Sequence, residues 1–242
     1  MTARFFVRSG LAHDLVGTAI ELPDDVAHHA VRVVRLEAGE PLTLFDGTGG
    51  EYAATLIEVT KRCARARIES FQPAARESPL AVTLVQSVIA TDAMDHAIRK
   101  CVELGVAAIA PVITARSAPL PPGDRSEKRR AHWEQIAIAA CEQCGRNVVP
   151  PIAAPLPLRA FAPAAGETWF VCAPGQPGPA TTHAYSACAV TVGPEGGFAP
   201  GELEEMFGRG AIPMGLGPRI LRADTAAMVA VTLLQARCGD LR

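Results

Sequence analysis

Val192-Gly193-Pro194-Glu195-Gly196-Gly197-Phe198, answered downstream by Leu216-Gly217-Pro218-Arg219-Ile220-Leu221-Arg222-Ala223-Asp224-Thr225, decides the reading of the chain. Each stretch follows a short apolar run, Ala189 to Val192 in one case and Ile212 to Leu216 in the other, and each leads into a helical pattern. Both are therefore strand-to-turn-to-helix corners. Glycine lets the backbone take positive φ and approach a ligand closely, while proline fixes φ and removes an amide hydrogen, so the corners are tight and rigid. Corners of this kind, at the carboxyl ends of strands, are where open α/β sheets take ligands. A single glycine pair would pass for an ordinary turn. Two elaborate corners, each with charged residues among the glycines, point instead to a binding site with Glu195, Arg222 and Asp224 beside it.

The residues leading up to these corners alternate between strand and helix. Leu80 to Ala90 is a near-continuous apolar run, as in a strand covered on both faces. A helix over Asp92 to Leu104 puts Met94, Ala97, Ile98, Cys101 and Leu104 inward. Asp95/Arg99 and Arg99/Glu103 fall outward at i,i+4 spacing, and Gly105 is the stop. Val106 to Thr114 completes a β-α-β unit, for which a parallel pair and a right-handed crossover are expected. After a proline-rich loop, Arg116 to Gly123, a long helix runs from Ser126 to about Gly145, with the basic run Lys128-Arg129-Arg130 near its start. Strands over Thr168 to Cys172, Ala187 to Val192 and Ala211 to Leu216 follow, and Pro200 opens the helix between the last two. The final helix, Ala223 to Arg237, is apolar nearly all round, which calls for burial on two sides and suggests a subunit interface.

The amino-terminal part reads differently. Short β-type segments at Arg4 to Val7, Ala19 to Leu22, Pro41 to Phe45, Tyr52 to Val59 and Ala64 to Ser70, separated by turns such as Asp46-Gly47-Thr48-Gly49-Gly50, predict a small antiparallel barrel. One helix interrupts it, capped by Asp24 or Asp25 and running to about Leu36. Val26, Ala30, Val33 and Val34 fall on one face, and His28, Arg32 and Arg35 on the other. That basic face, together with Arg4 and Arg8, either tracks phosphates or is simply solvated. Phe71 to Ser78 reads as a linker, giving domains at 1–73 and 74–242.

Composition sets outer limits. At 242 residues and 49% hydrophobic the chain has ample core. It has no run of the roughly eighteen apolar residues a membrane span needs, and Met1 to Phe6 is too short for a signal peptide, so a soluble cytoplasmic protein is expected. Seven scattered cysteines, an odd number, suit reduced thiols. Net charge is −2, with eight Lys/Arg against ten Asp/Glu in residues 1–73 and fifteen of each beyond, so any nucleic-acid site is a local patch. Several chemistries fall away. Gly47-Thr48-Gly49-Gly50 lacks the third glycine of a dinucleotide fingerprint, and no phosphate loop of the NTPase kind is present. Cys141-Glu142-Gln143-Cys144 has no second pair, His28-His29 has no third ligand nearby, and no serine sits in a nucleophile elbow, so no metal is expected.

The two corners closely resemble the signatures of the RsmE type of ribosomal small-subunit RNA uracil N(3)-methyltransferases, within the SPOUT class of S-adenosylmethionine-dependent enzymes. The resemblance extends over His29 to Gly47, Lys100 to Val106, Gln135 to Asn147 and Gly239-Asp240-Leu241. It implies an α/β SPOUT methyltransferase domain with a carboxyl-terminal trefoil knot, an amino-terminal PUA-like β-barrel that binds RNA, and a homodimer. It implies 16S ribosomal RNA or the small ribosomal subunit as substrate, and S-adenosyl-L-methionine bent among three loops. Those loops map to Ala173-Pro174, to Gly193, Pro194, Glu195, Gly196 and Gly197, and to Leu216, Gly217, Pro218, Ile220, Leu221 and Arg222 with Thr225. On this reading Arg222 and backbone amides stabilise charge on the uracil oxygens, and Glu195 or Asp224 accepts the imide proton, the choice being open. RNA contacts are expected from Arg4, Arg8, His29, Arg32 and Arg35, with Lys100 and Arg146 as further candidates. The sequence departs from the family pattern twice. Asp224 stands where an acid one methylene longer is common, and Ala93 where a lysine is often found. Two alternatives stay open, a SPOUT enzyme acting on another RNA such as a transfer-RNA ribose, and a non-catalytic RNA-binding module.

Overall fold

A period of two along three strands shapes the first part of the chain. Leu42 and Leu44, Tyr52, Ala54 and Leu56, and Ala64, Ala66 and Ile68 are buried, while their strand neighbours, apart from the buried Phe45 at the end of its strand, are more exposed. The computed structural model describes residues 2–8, 11–60, 63–74, 76–120, 123–177 and 185–241. It divides into one unit of residues 1–77 with 141–149 and a second of 78–140 with 150–242. The division at 77/78 lies within the expected 71–78 segment but beyond the expected boundary at 73/74, and the sheet continues to Gln72. The return of 141–149 to the first unit has no counterpart in the sequence reading.

The first unit holds β1 (Ala3–Phe6), β2 (Ala19–Glu21), α1 (Asp24–His28), β3 (Pro41–Phe45), β4 (Glu51–Val59) and β5 (Ala64–Gln72). Its sheet runs in the order β1-β3-β4-β5-β2. The strands fall where the alternation puts them, with one correction: β1 pairs parallel to β3, so the sheet is mixed rather than antiparallel. A second correction concerns the helix. α1 stops at His28 and passes into a π-helical turn over His29–Val33, where Val34 N–H donates to His29 O at 2.9 Å. The wider turn rotates the following residues off the 3.6-residue wheel. Val26 and Ala30 are buried as expected, whereas Val33 and Val34 point to solvent, 61% and 42% exposed. Arg35, at φ 65, closes the turn, and Pro23 rather than either aspartate occupies the cap position.

Residues 141–149 are tied into this unit by charge. Arg4 Nη1 donates to Glu51 Oε2 at 2.6 Å and its Nη2 to Asn147 Oδ1 at 2.5 Å, while Asn147 Nδ2 donates to Ala74 O. Arg76 joins Glu51 at 2.9 Å and Gly145 O at 2.7 Å, and Arg146 pairs with Glu77. Burial pushes the Glu51 carboxyl up, but hydrogen bonds and charge from Arg76 and Arg4 outweigh it and hold the group below its ordinary value. Phe6 N–H donates to Glu142 Oε1, yet burial keeps that carboxyl above its usual range.

The second unit contains β6 (Ala81–Ser87), α2 (Thr91–Glu103), β7 (Ala108–Ile113), most of α3 (Asp124–Cys144), β8 (Leu156–Pro157), β9 (Thr168–Cys172), β10 (Ala187–Val192), α4 (Pro200–Gly208), β11 (Ile212–Met214) and α5 (Ala223–Cys238). The six strands form one parallel sheet in the order β11-β9-β10-β6-β7-β8. The central strands are apolar on both faces because helices cover both. Trp169 Nε1 donates to Thr191 Oγ1 across β9 and β10 at 2.7 Å. Pro200 opens α4, as its missing amide hydrogen allows. α2 buries Met94, Ala97, Ile98 and Cys101 as expected, with Val102 in place of Leu104, and packs against α5. The expected i,i+4 pairs on α2 are replaced: Asp95 meets His132 at 2.8 Å and Glu103 meets Lys100 at 2.9 Å. In α5 a buried Gln235 donates to Gly105 O at 3.0 Å and accepts from Ser78 Oγ at 2.6 Å. A side chain on Gly239 would run into Gln235, which gives the Gly239-Asp240-Leu241 string a packing reason. Among the described residues no helix is long and apolar enough to cross a membrane and no metal-binding cluster is found.

Candidate active site

Parallel pairing sends the carboxyl ends of all these strands to one edge of the sheet. Val171 lies opposite Thr191 and Cys172 opposite Met214, so β10, β9 and β11 end level with one another. The three loops singled out in the sequence leave from these three adjacent ends. Two strand spacings separate β10 from β11, about 10 Å. The Ala173 and Leu216 loops touch. Ala173 N–H donates to Met214 O at 3.1 Å, and Gly215 N–H to Pro177 O at 2.7 Å. A Cβ on Gly215 would lie 2.6 Å from the Gln176 carbonyl carbon and 3.1 Å from that of Pro177, so only glycine permits the crossing. The continuation of this loop, 178–184, lies outside the described residues.

The third loop is held from the opposite side. Glu195 Oε1 accepts from Ala90 N–H at 3.0 Å, at the start of α2, and Arg116 Nη1 donates to Gly196 O at 2.8 Å. Glu195 thus ties its corner to the start of α2. Gly197 takes φ 68 and donates to Pro194 O at 2.8 Å, closing the turn. Asp224, in the first turn of α5, accepts from Thr225 N–H at 2.9 Å and lies 3.8 Å from Arg222 Nε. The Arg222 side chain is 80% exposed. Ile220 is 88% exposed, an apolar side chain beside the loops with nothing over it among the described residues, and Leu216 and Leu221 are half-buried next to it. The set fits a nucleoside-bearing methyl donor, with glycine backbone open at Gly196, Gly197 and Gly217 and apolar cover for an aromatic base.

The expected RNA contacts separate into two groups. Arg8, Arg32 and Arg35 are exposed, and none pairs with a carboxylate among the described residues. Arg4 and Arg146 are corrections. Their charges are neutralised by Glu51 and Glu77 inside the first unit, with side chains only 9% and 5% exposed. His29 packs edge-on against Phe5 at 5.5 Å and lies 4.0 Å from Glu142, and Lys100 pairs with Glu103. Sequence spacing missed Arg116, Glu202 and Arg129. Glu202 accepts from its own helix start at Ala199 N–H, 2.8 Å, and from Ala115 N–H, 2.7 Å, fixing the loop that carries Arg116. Arg129 Nη1 donates to Thr91 Oγ1 at 2.7 Å, bringing a cation to the helix start where Ala93 stands in place of a lysine. The run Lys128-Arg129-Arg130 was the available signal.

Comparison with known proteins finds relatives along the chain. A family model described as the RNA methyltransferase domain matches residues 76–235, and one described as the RNA methyltransferase PUA domain matches residues 22–69. The chain is 31% identical to the ribosomal RNA small subunit methyltransferase E of Buchnera aphidicola subsp. Schizaphis graminum, over 93% of this chain and 94% of that one. A solved structure of ribosomal RNA small subunit methyltransferase E from Neisseria gonorrhoeae bound to S-adenosyl methionine superposes with a TM-score of 0.91, at 36% identity over 100% of both chains. The putative methyltransferase Lpg2936 of Legionella pneumophila, solved with bound SAM, gives 0.92 at 36% identity, again over 100% of both.

Proposed function

The chain belongs to the ribosomal RNA small subunit methyltransferase E family, and from that premise we propose that it methylates the N(3) imide nitrogen of one uridine in 16S ribosomal RNA. S-adenosylmethionine-dependent methylation of ribosomal RNA is the family's activity and this chain's. The observation that carries the proposal is the level ending of β10, β9 and β11, which gathers three glycine-bearing loops into one cradle.

Bound there, the donor supplies an electrophilic methyl group on a sulfonium. The chain's own residues do the rest. Ile220 and Leu221 would cover the adenine, and the amides around Gly196 and Gly217 would meet its polar edge. Uracil keeps its imide proton at neutral pH, and each pH unit between the group and its surroundings costs about 1.4 kcal/mol. Arg222, exposed at the cap of α5, stabilises the negative charge that develops on the uracil oxygens. Asp224 is the better-disposed proton acceptor, because it lies beside Arg222 and is engaged only by the neighbouring Thr225 amide, whereas Glu195 ties its corner to Ala90 on another loop. Holding acceptor and donor in line contributes several kcal/mol more, on the order of what positioning supplies in intramolecular reactions. Arg8, Arg32 and Arg35 make phosphate contacts from the first unit. The working form is a cytoplasmic homodimer: Met228, Val229 and Leu233 of the apolar α5 stay partly exposed in a single chain.

Purified protein, S-adenosylmethionine and ribosomal RNA or small subunits lacking the modification, followed by nucleoside mass spectrometry, test the assignment. N(3)-methyluridine is expected. A 2′-O-methylated ribose, or no transfer at all, would refute it.

A further inference from the structure

The same sheet edge has a second half. Beyond β10 come the carboxyl ends of β6 and β7, and their loops are sewn to the donor corner by side chains rather than by strand pairing. Glu202 holds Ala115, Arg116 holds Gly196, Glu195 holds Ala90, and Arg129 holds Thr91. Two of these four are arginines, and both are anchored by neutral oxygens, a carbonyl and a hydroxyl. Neither has a carboxylate within ion-pair distance among the described residues. Five other arginines of the chain differ. Arg4, Arg76, Arg130, Arg146 and Arg209 each face a glutamate. A guanidinium fixed by a neutral acceptor keeps both its full charge and several donors for an incoming anion.

α3 shows the same division along its length. Arg130 sits between Glu127 and Glu134, at 3.2 and 2.8 Å, on one face. Arg125 and Arg129, four residues apart, share another face with His132, whose ring meets Asp95. Arg125 and Lys128 are exposed. The uncompensated cations therefore lie on the side that carries Thr91, next to the Glu195 corner.

We infer that Arg116 and Arg129, with Arg125 behind them, form a phosphate grip on the catalytic unit that seats the RNA backbone beside the acceptor nucleotide. The grip rests on the ribosomal RNA reading above and adds to it a second contact surface on the unit that does the chemistry. Arg116 has a further consequence. Because it also holds Gly196 O, phosphate binding there is coupled to the shape of the donor corner.

RNA affinity measured across a salt series tests this, using the full chain and its variants Arg129→Gln, Arg129→Lys, the double Arg116→Gln/Arg129→Gln, and Arg130→Gln. Glutamine at 129 retains a donor for Thr91. The slope of log affinity against log salt is expected to fall by roughly 0.7 for Arg129→Gln and by about 1.4 for the double variant. Arg129→Lys and Arg130→Gln are expected to keep the wild-type slope, and Arg129→Gln to bind S-adenosylmethionine as tightly as the wild type. Unchanged slopes in Arg129→Gln and the double variant overturn the grip. An equal fall in Arg130→Gln overturns it as well, since net charge alone would then explain the effect. Wild-type protein that binds no RNA and transfers no methyl group would instead refute the methyltransferase reading, and the grip with it.

Discussion

Gly215→Ala puts a methyl group in place of a hydrogen at the crossing on which the proposed donor cradle depends. The added methyl carbon would stand 2.6 Å from the carbonyl carbon of Gln176. Carbon atoms settle at about 3.5–4.0 Å and the Gln176 carbonyl oxygen lies closer still, so the two loops must separate by at least about 1 Å. Both obstructing groups are backbone and cannot rotate aside. The separation breaks the 2.7 Å bond from Gly215 N–H to Pro177 O, a net loss of about 1 kcal/mol. Overpacking adds about 1–3 kcal/mol. The sum is a destabilisation of about 2–4 kcal/mol, and because the strain falls between two donor loops, S-adenosylmethionine affinity should drop at least tenfold. Gly217→Ala is the internal control: nothing lies within 4 Å of its Cβ and only the φ of +98 opposes it, at about 1–2 kcal/mol. Thermal unfolding and calorimetric titration with the donor read both quantities. A Gly215→Ala protein with wild-type donor affinity would show that the crossing does not shape the site.

Further outcomes follow from the same contacts. Asp224→Asn should slow single-turnover methylation by about 100-fold or more, and Glu195→Gln by less, since glutamine retains an oxygen for Ala90; the reverse order would make Glu195 the proton acceptor. Glu51→Gln should cost about 2–3 kcal/mol at neutral pH, because it leaves Arg4 and Arg76 without their partner. The folded carboxyl lies below its unfolded value, so its contribution is present above the unfolded pKa and disappears as pH falls through the folded one. Wild-type and variant stabilities should therefore converge in acid, and a gap that persists there counts against the pairing. Burial pushes Cys141, Cys172 and Cys188 up to about 12, and Cys101 higher still. A thiolate reagent at neutral pH should label Cys63, Cys144 and Cys238 first, and rapid labelling of Cys101 in native protein would contradict the packing.

The parts of this molecule that were legible in its sequence are those governed by local rules. Glycine and proline mark the corners at 193–197 and 216–218, and apolar runs mark β6, β9 and β10, because turn chemistry and double burial write themselves into consecutive residues. The π turn after His28 was not legible, since its cause is a hydrogen-bond choice that leaves composition unchanged. Nor was the fate of the arginines. Arg4 is indistinguishable from Arg8 in sequence, and only the fold brings Glu51, 47 residues away, onto one of them. Arg116 and Arg129 escaped notice for the opposite reason, as their importance lies in the carboxylate they lack. Gln235 left a trace, one amide in an otherwise apolar helix, that binary patterning alone does not decode.

A crystal structure of the protein with S-adenosylmethionine addresses the cradle most directly. Density for the adenosine is expected between residues 173–177 and 215–222, with the sulfonium methyl turned toward Arg222 and Asp224. Donor density elsewhere, as in the groove lined by Ile113, Leu158 and Met206, would contradict the assignment of the three loops.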